Sequence, residues 1–262
     1  MKVEQILSLL EEKVAPVKLS DNFCKKYGLY DNSGIIINCG NEVTGVLFTL
    51  DLTAEAVNKA VSSGFNVIVT HHPAVYGGIS RFDLVANPQA AALAECIKNG
   101  VSVISMHLNF DAAERGIDYR LMQGLGGENA RILADIDGGG YGRVYSVSPQ
   151  KLSIYSENVS KEFKTDRLLV YGSPDKLIKK AASFCGAGCD DKAMAFACEQ
   201  GADVFISSDM KHHEILNLTR KGLAVLILTH YASENYGFEK IYLEIKESLN
   251  VKSAYYTDAD LL

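Results

Sequence analysis

The sequence predicts an α/β protein: two α/β domains with mixed or parallel sheets flanked by helices. Three observations carry that prediction. Short apolar runs of strand length alternate with stretches of helical periodicity, which is the rhythm of βαβ units. A glycine-rich tract from 124 to 142 breaks that rhythm, and a second α/β group follows it. All six histidines fall in four short clusters, and each cluster follows one of the apolar runs.

In chain order, Ile6, Leu7, Leu9, Leu10 and Val14 fall at helical spacing, and Pro16 ends that helix by biasing Ala15 away from the helical region. Val43 to Asp51 reads as a strand, Thr53 to Ser62 as a helix closed at Gly64, and Phe65 to Thr70 as the next strand. Two strands joined by a helix pair in parallel. Pro88 to Asn99 is a helix closed by Gly100, and Val101 to Met106 a strand. Beyond the glycine tract, Arg143 to Val147 and Arg167 to Tyr171 read as strands and Pro174 to Ala182 as a helix. The final stretch resumes the first rhythm, with helix 193–200, strand 202–207, helix 213–221, strand 223–229 and helix 233–249. The expected division is therefore 1–125 with 223–262 as one domain and 126–222 as the other.

Composition excludes several classes of function. The net charge is −6, and the 26 Lys and Arg are spread along the chain without a basic patch, so no nucleic-acid partner is expected. No apolar run reaches membrane-spanning length, so no membrane partner is expected either. The opening residues MKVEQILSLLEEKV carry acidic groups unsuited to a targeting peptide. The six cysteines read as free thiols of a cytoplasmic protein, Cys185 and Cys189 lying in a tight loop of small residues.

The histidine clusters are His71-His72-Pro73, His107-x3-Asp111, Lys211-His212-His213-Glu214 and His230-x3-Glu234. Open α/β sheets place ligands at the carboxyl ends of their strands. Four clusters at four strand ends, with carboxylates at set offsets, point to one shared metal site. Adjacent strand residues face opposite ways, so His71 and His72 serve separate ions or lie where the backbone turns. His107, Asn109 and Asp111 share a face if the chain stays extended, and His230 and Glu234 share a helix face. Imidazole with carboxylate suits Zn, Mn, Fe, Co or Ni. Ser208 or Asp209 caps the following helix, whose amino terminus favours anions, and Lys211 meets a phosphate there. Asp31-Asn32-Ser33-Gly34 and Cys185-Gly186-Ala187-Gly188 read as turns.

Taken together, Asp31-Asn32-Ser33-Gly34, Thr70-His71-His72-Pro73, His107-x-Asn109-x-Asp111-x4-Gly116, Gly186-x-Gly188, Ser208-Asp209-x-Lys211-x-His213 and His230-Tyr231-Ala232-x-Glu234 with Gly237 resemble the NIF-three-like (YbgI-type) family over essentially the whole chain. That family carries the name GTP cyclohydrolase 1 type 2 homologue. The resemblance implies a two-domain α/β subunit with a dinuclear metal centre in the inter-domain cleft, assembled as a toroidal homohexamer. It implies His71, His72, Asp111, His230 and Glu234 as ligands of two divalent ions, with His107 and His213 beside them. Ser207-Ser208-Asp209 departs from the family's Thr-Gly-Asp/Glu. The expected activity is a metal-dependent hydrolase on a small nucleotide-, pterin- or phosphate-bearing substrate, with His107 and His213 moving protons and Lys211 holding an anion. The alternative is a metal- or metallocofactor-handling carrier without turnover.

Overall fold

The computed structural model describes residues 1–262. Its first part runs α1 (Val3–Lys13), α2 (Val17–Tyr27), β1 (Gly34–Ile37), β2 (Val46–Thr49), α3 (Ala54–Ser62), β3 (Val67–Thr70), α4 (Pro88–Lys98), β4 (Ser102–Ser105) and α5 (Leu108–Ala112). Then come α6 (Ile117–Gly124), β5 (Glu128–Ile136), β6 (Gly139–Lys151), α7 (Leu152–Glu162), β7 (Leu169–Tyr171), β8 (Leu177–Ser183) and α8 (Asp191–Glu199). The chain closes with β9 (Val204–Ser207), α9 (His212–Arg220), β10 (Ala224–Ile227), α10 (His230–Ile245) and β11 (Ser253–Tyr256). Two compact units result, one of residues 1–113 with 238–257, the other of 114–237 with 258–262.

The first unit is a five-stranded sheet in the order β1-β4-β3-β2-β11, parallel except for β1. Strands β2, β3 and β4 are buried along their whole length, as strands covered on both faces must be, and their centres are apolar for that reason. Leu47, Ile68, Val57, Ala60, Leu93 and Val103 share one core cluster between this sheet and α3 and α4. Local chemistry starts those helices. Thr53 caps α3 through the Ala56 amide, and Asn87 caps α4 through Ala90 with Pro88 in the first turn. Register aligns Thr49, Thr70 and Ser105, so β2, β3 and β4 end level with one another.

The second unit is a six-stranded sheet in the order β5-β6-β8-β9-β10-β7, in which β8, β9 and β10 are parallel and the rest antiparallel. Four differences from the sequence reading stand out. Residues 177–183, inside the span expected to be helical, form β8. Leu177, Ile178, Ala181 and Ala182 do fall at helical spacing, but pairing with β6 and β9 on both sides outweighs that weak local preference. The glycine tract is not a break, because β5 and β6 form a hairpin across it, turning at Gly138 with φ of +87°. Helices α2, α5, α6 and α7 and strands β1, β5 and β11 were not anticipated. Finally, the division of the chain differs: β10 pairs in parallel with β9, which draws residues 223–237 into the second unit. His230 and Glu234 therefore fall in the same unit as Lys211 and His213.

Candidate metal centre

The four histidine clusters do follow β3, β4, β9 and β10. In the first unit His71 comes immediately after β3, where its amide donates to Thr49 and Leu50 carbonyls while that of His72 donates to Leu50. The chain turns there, so the strand rule that would separate the two rings no longer applies. Their centroids lie 5.0 Å apart and each offers a ligand atom within 4.8 Å of the other's.

The His107 segment also departs from the extended form expected. It folds into the short helix α5, whose Asp111 amide donates to the His107 carbonyl at 2.9 Å. His107 and Asp111 thus meet by helical four-residue spacing rather than by strand alternation. The His71, His107 and Asp111 ligand atoms all lie within 4.8 Å of one another, with His71 Nε2 3.4 Å from Asp111 Oδ1. Asn109 faces elsewhere: its amide donates to the Ala15 carbonyl at 3.0 Å and its oxygen accepts from Ser33.

In the second unit His230 opens α10, and its Nε2 lies 3.0 Å from Glu234 Oε2 one turn later. Gly186 makes room for both. A Cβ at that position would stand 2.1 Å from Glu234 Oε1 and 3.0 Å from His230 Nε2, and its φ of +58° is one that L side chains rarely adopt. The Gly186-x-Gly188 turn is thus a close backbone approach to Glu234, where the sequence read only as a turn.

The tuning of these histidines is the most informative feature. His71 Nδ1 meets the Met106 carbonyl at 2.9 Å, His72 Nδ1 the Asp51 carboxylate at 2.7 Å, His107 Nδ1 the Asp31 carboxylate at 2.7 Å and His230 Nδ1 the Asp209 carboxylate at 2.6 Å. Each acceptor requires N–H at Nδ1, so each neutral ring carries its lone pair on Nε2. This is the outer-layer arrangement that orients metal-ligating histidine and raises its basicity. Asp31 is buried, which opposes its charge, but the His107 ring together with hydrogen bonds from Ser20 at 2.5 Å and Ser33 at 2.6 Å holds its carboxyl well below the usual range.

The Lys211 segment is arranged otherwise. Lys211, His212 and His213 are exposed at the start of α9. Lys211 occupies the N-cap position, and Glu214 returns its carboxylate to the Lys211 amide at 2.7 Å and to its ammonium at 3.7 Å. Neither Ser208 nor Asp209 caps this helix, contrary to expectation: Asp209 orients His230, and Ser208 Oγ bonds Ser233 Oγ at 3.0 Å. The sequence reading missed Asp51 and the role of Asp31 altogether; the signal was a carboxylate at or near the end of a strand neighbouring a histidine-bearing one.

Residues 1–258 match the family model described as Duf34/NIF3 (NGG1p interacting factor 3). The chain belongs to the Duf34/NIF3 family. Among relatives of this Duf34/NIF3 chain, a Clostridium perfringens protein named GTP cyclohydrolase 1 type 2 homolog is 29% identical over 257 residues, covering 95% of this chain and 93% of that protein. A Staphylococcus aureus hypothetical protein shares the fold with a TM-score of 0.82 at 24% identity, covering 98% of this chain and 97% of that one. Reduced HcgD from Methanocaldococcus jannaschii reaches a TM-score of 0.80 at 25% identity, covering 97% of both chains. No helix of the Duf34/NIF3 chain is long and apolar enough to cross a membrane.

Proposed function

We propose that this chain binds two divalent metal ions and uses them as a hydrolase acting on a small nucleotide-, pterin- or phosphate-bearing substrate. His71, His72, Asp111, His230 and Glu234 are the ligands in this reading. The observation that carries it is the set of four histidines whose Nδ1 atoms are all engaged by oxygen acceptors, which leaves four Nε2 lone pairs beside buried carboxylates. His71, His72 and Asp111 belong to the first unit and His230 and Glu234 to the second.

When bound, such ions supply Lewis acidity and activation of water. The protein's own residues do the rest. His107, held by Asp31, accepts and returns a proton at Nε2, a His–Asp pairing suited to general base work. Lys211 presents an ammonium that attracts an anionic substrate, and His213 stands two residues along the same exposed turn to donate a proton. The proposed assembly is a closed homohexamer, which light scattering would register directly.

The rival reading is a carrier that passes metal on without turnover. Reduced HcgD is a relative by fold and sequence, but its name states no reaction. One experiment separates the two. Protein stripped with chelator and reloaded with Mn, Fe, Co, Ni or Zn is screened on nucleotides, pterins and phosphoesters, and its metal is offered to an acceptor apoprotein. Metal-dependent product formation supports the hydrolase, whereas transfer with no turnover on any substrate supports the carrier.

A further inference from the structure

The second unit's parallel strands reveal a donor outside the set so far discussed. β8, β9 and β10 lie side by side in parallel, with Ser183 level with Ile206 and Ser207 level with Ile227. Their carboxyl ends therefore open on the same edge of the sheet. β9 continues into Ser208 and Asp209, and β10 into Thr229 and His230. β8 continues into Phe184 and then Cys185, two residues past its end. With residues 177–183 read as helix, Cys185 would have no such placement; with that segment as a strand it joins the row.

Cys185 is buried, and its Sγ lies within 4.8 Å of a Glu234 carboxylate oxygen, within reach of a shared ion. Its backbone is held in place. The carbonyl accepts from the Tyr141 hydroxyl at 2.5 Å, and the Asp118 carboxylate receives its amide at 3.4 Å. The next residue is Gly186, whose missing side chain lets this turn lie against Glu234 and His230. A thiol and a carboxylate thus come within reach of one ion in this unit.

We propose that Cys185 is a further metal ligand, its thiolate sharing an ion with Glu234, and this rests on the metal-centre reading above. Thiolate is the form in which cysteine binds metal. A sulfur donor would shift the centre's preference toward zinc, iron or cobalt and away from manganese.

The test is X-ray absorption on the zinc-loaded full chain. A zinc–sulfur shell at about 2.3 Å is expected beside the nitrogen and oxygen shell at about 2.0–2.1 Å. In Cys185→Ser the sulfur shell should vanish while zinc is still bound, and in Cys189→Ser it should remain. Zinc bound with only nitrogen and oxygen neighbours overturns the thiolate and leaves the metal-centre reading standing. A sulfur shell that persists in Cys185→Ser assigns the sulfur to another residue and overturns it equally. A chain that binds no zinc overturns both readings. A wild-type spectrum without a sulfur shell overturns the proposal even if the variant fails to fold, and if Cys185→Ser does not fold, Cys185→Ala is read in its place.

Discussion

His107 Nδ1 donates to Asp31 Oδ1 across 2.7 Å, joining residues 76 positions apart, while Ser20 and Ser33 donate to the other carboxylate oxygen. The acid is buried, so this charge persists only because its partners hold it. The relationship fixes the ring with Nδ1 engaged and Nε2 left over, and gives it a charge partner, which are the two things a proton-moving histidine needs.

Replacing Asp31 with Asn should therefore show in the pH dependence of stability. The carboxyl is depressed in the folded state, so its contribution to stability is present above the unfolded value of about 3.9 and is lost as pH falls through the lower folded value. The wild type's advantage over Asp31→Asn, on the order of 3 kcal/mol at neutral pH for a broken buried pair, should shrink as pH falls below about 4. Denaturant titrations across pH 2 to 7 check it. An advantage independent of pH would contradict the assignment.

Gly186→Ala places a methyl 2.1 Å from a Glu234 oxygen on a backbone of positive φ. The expected cost is about 1–3 kcal/mol of stability, with metal affinity falling on the order of tenfold or more as Glu234 is displaced. Thermal unfolding and metal titration of the variant measure both. An Ala variant matching wild type in each would show that the turn is not a cradle for Glu234.

Asp209→Ala and Asp51→Ala remove the carboxylates that orient His230 and His72. Partners of this kind are worth about 10–100-fold in metal affinity. Competition against a chromogenic chelator gives the affinities, and unchanged values would mean that these rings are not ligands.

Much of this arrangement was legible in the sequence because it depends on short-range signals. Buried parallel strands are apolar through their centres, so β2, β3, β4, β9 and β10 were visible, and with them the histidine clusters that follow β3, β4, β9 and β10. What was not legible depends on contacts distant along the chain. Leu177 to Ser183 has helical spacing and becomes a strand through neighbours at 143–151 and 204–206. The pairing of Asp31 with His107 and of Asp51 with His72 is tertiary, and the local look of Asp31-Asn32-Ser33-Gly34 is only that of a turn. His107 and Asp111 were rightly associated but for the wrong reason, since alternation and one helical turn bring both residues to a common side.

Lys211→Ala and His213→Ala test the division between metal holding and chemistry. Both side chains are exposed at the start of α9, outside the two ligand sets. Each variant should keep its full metal content, and His213→Ala should lose on the order of 10²-fold or more in turnover if it transfers a proton. Metal content and rate measured on the same preparation settle each case. Full activity in both would remove this segment from the mechanism and favour the carrier.

The most direct measurement of the central claim is metal stoichiometry by elemental analysis of the full chain after reconstitution with Mn, Fe, Co, Ni or Zn and removal of excess ion. Five donors, His71, His72, Asp111, His230 and Glu234, exceed what one four-coordinate ion with a water position needs. The account predicts about two ions per chain, falling for both ions together in Glu234→Gln if that carboxylate bridges them, and little changed in His107→Ala. A stoichiometry near zero with every metal would contradict it.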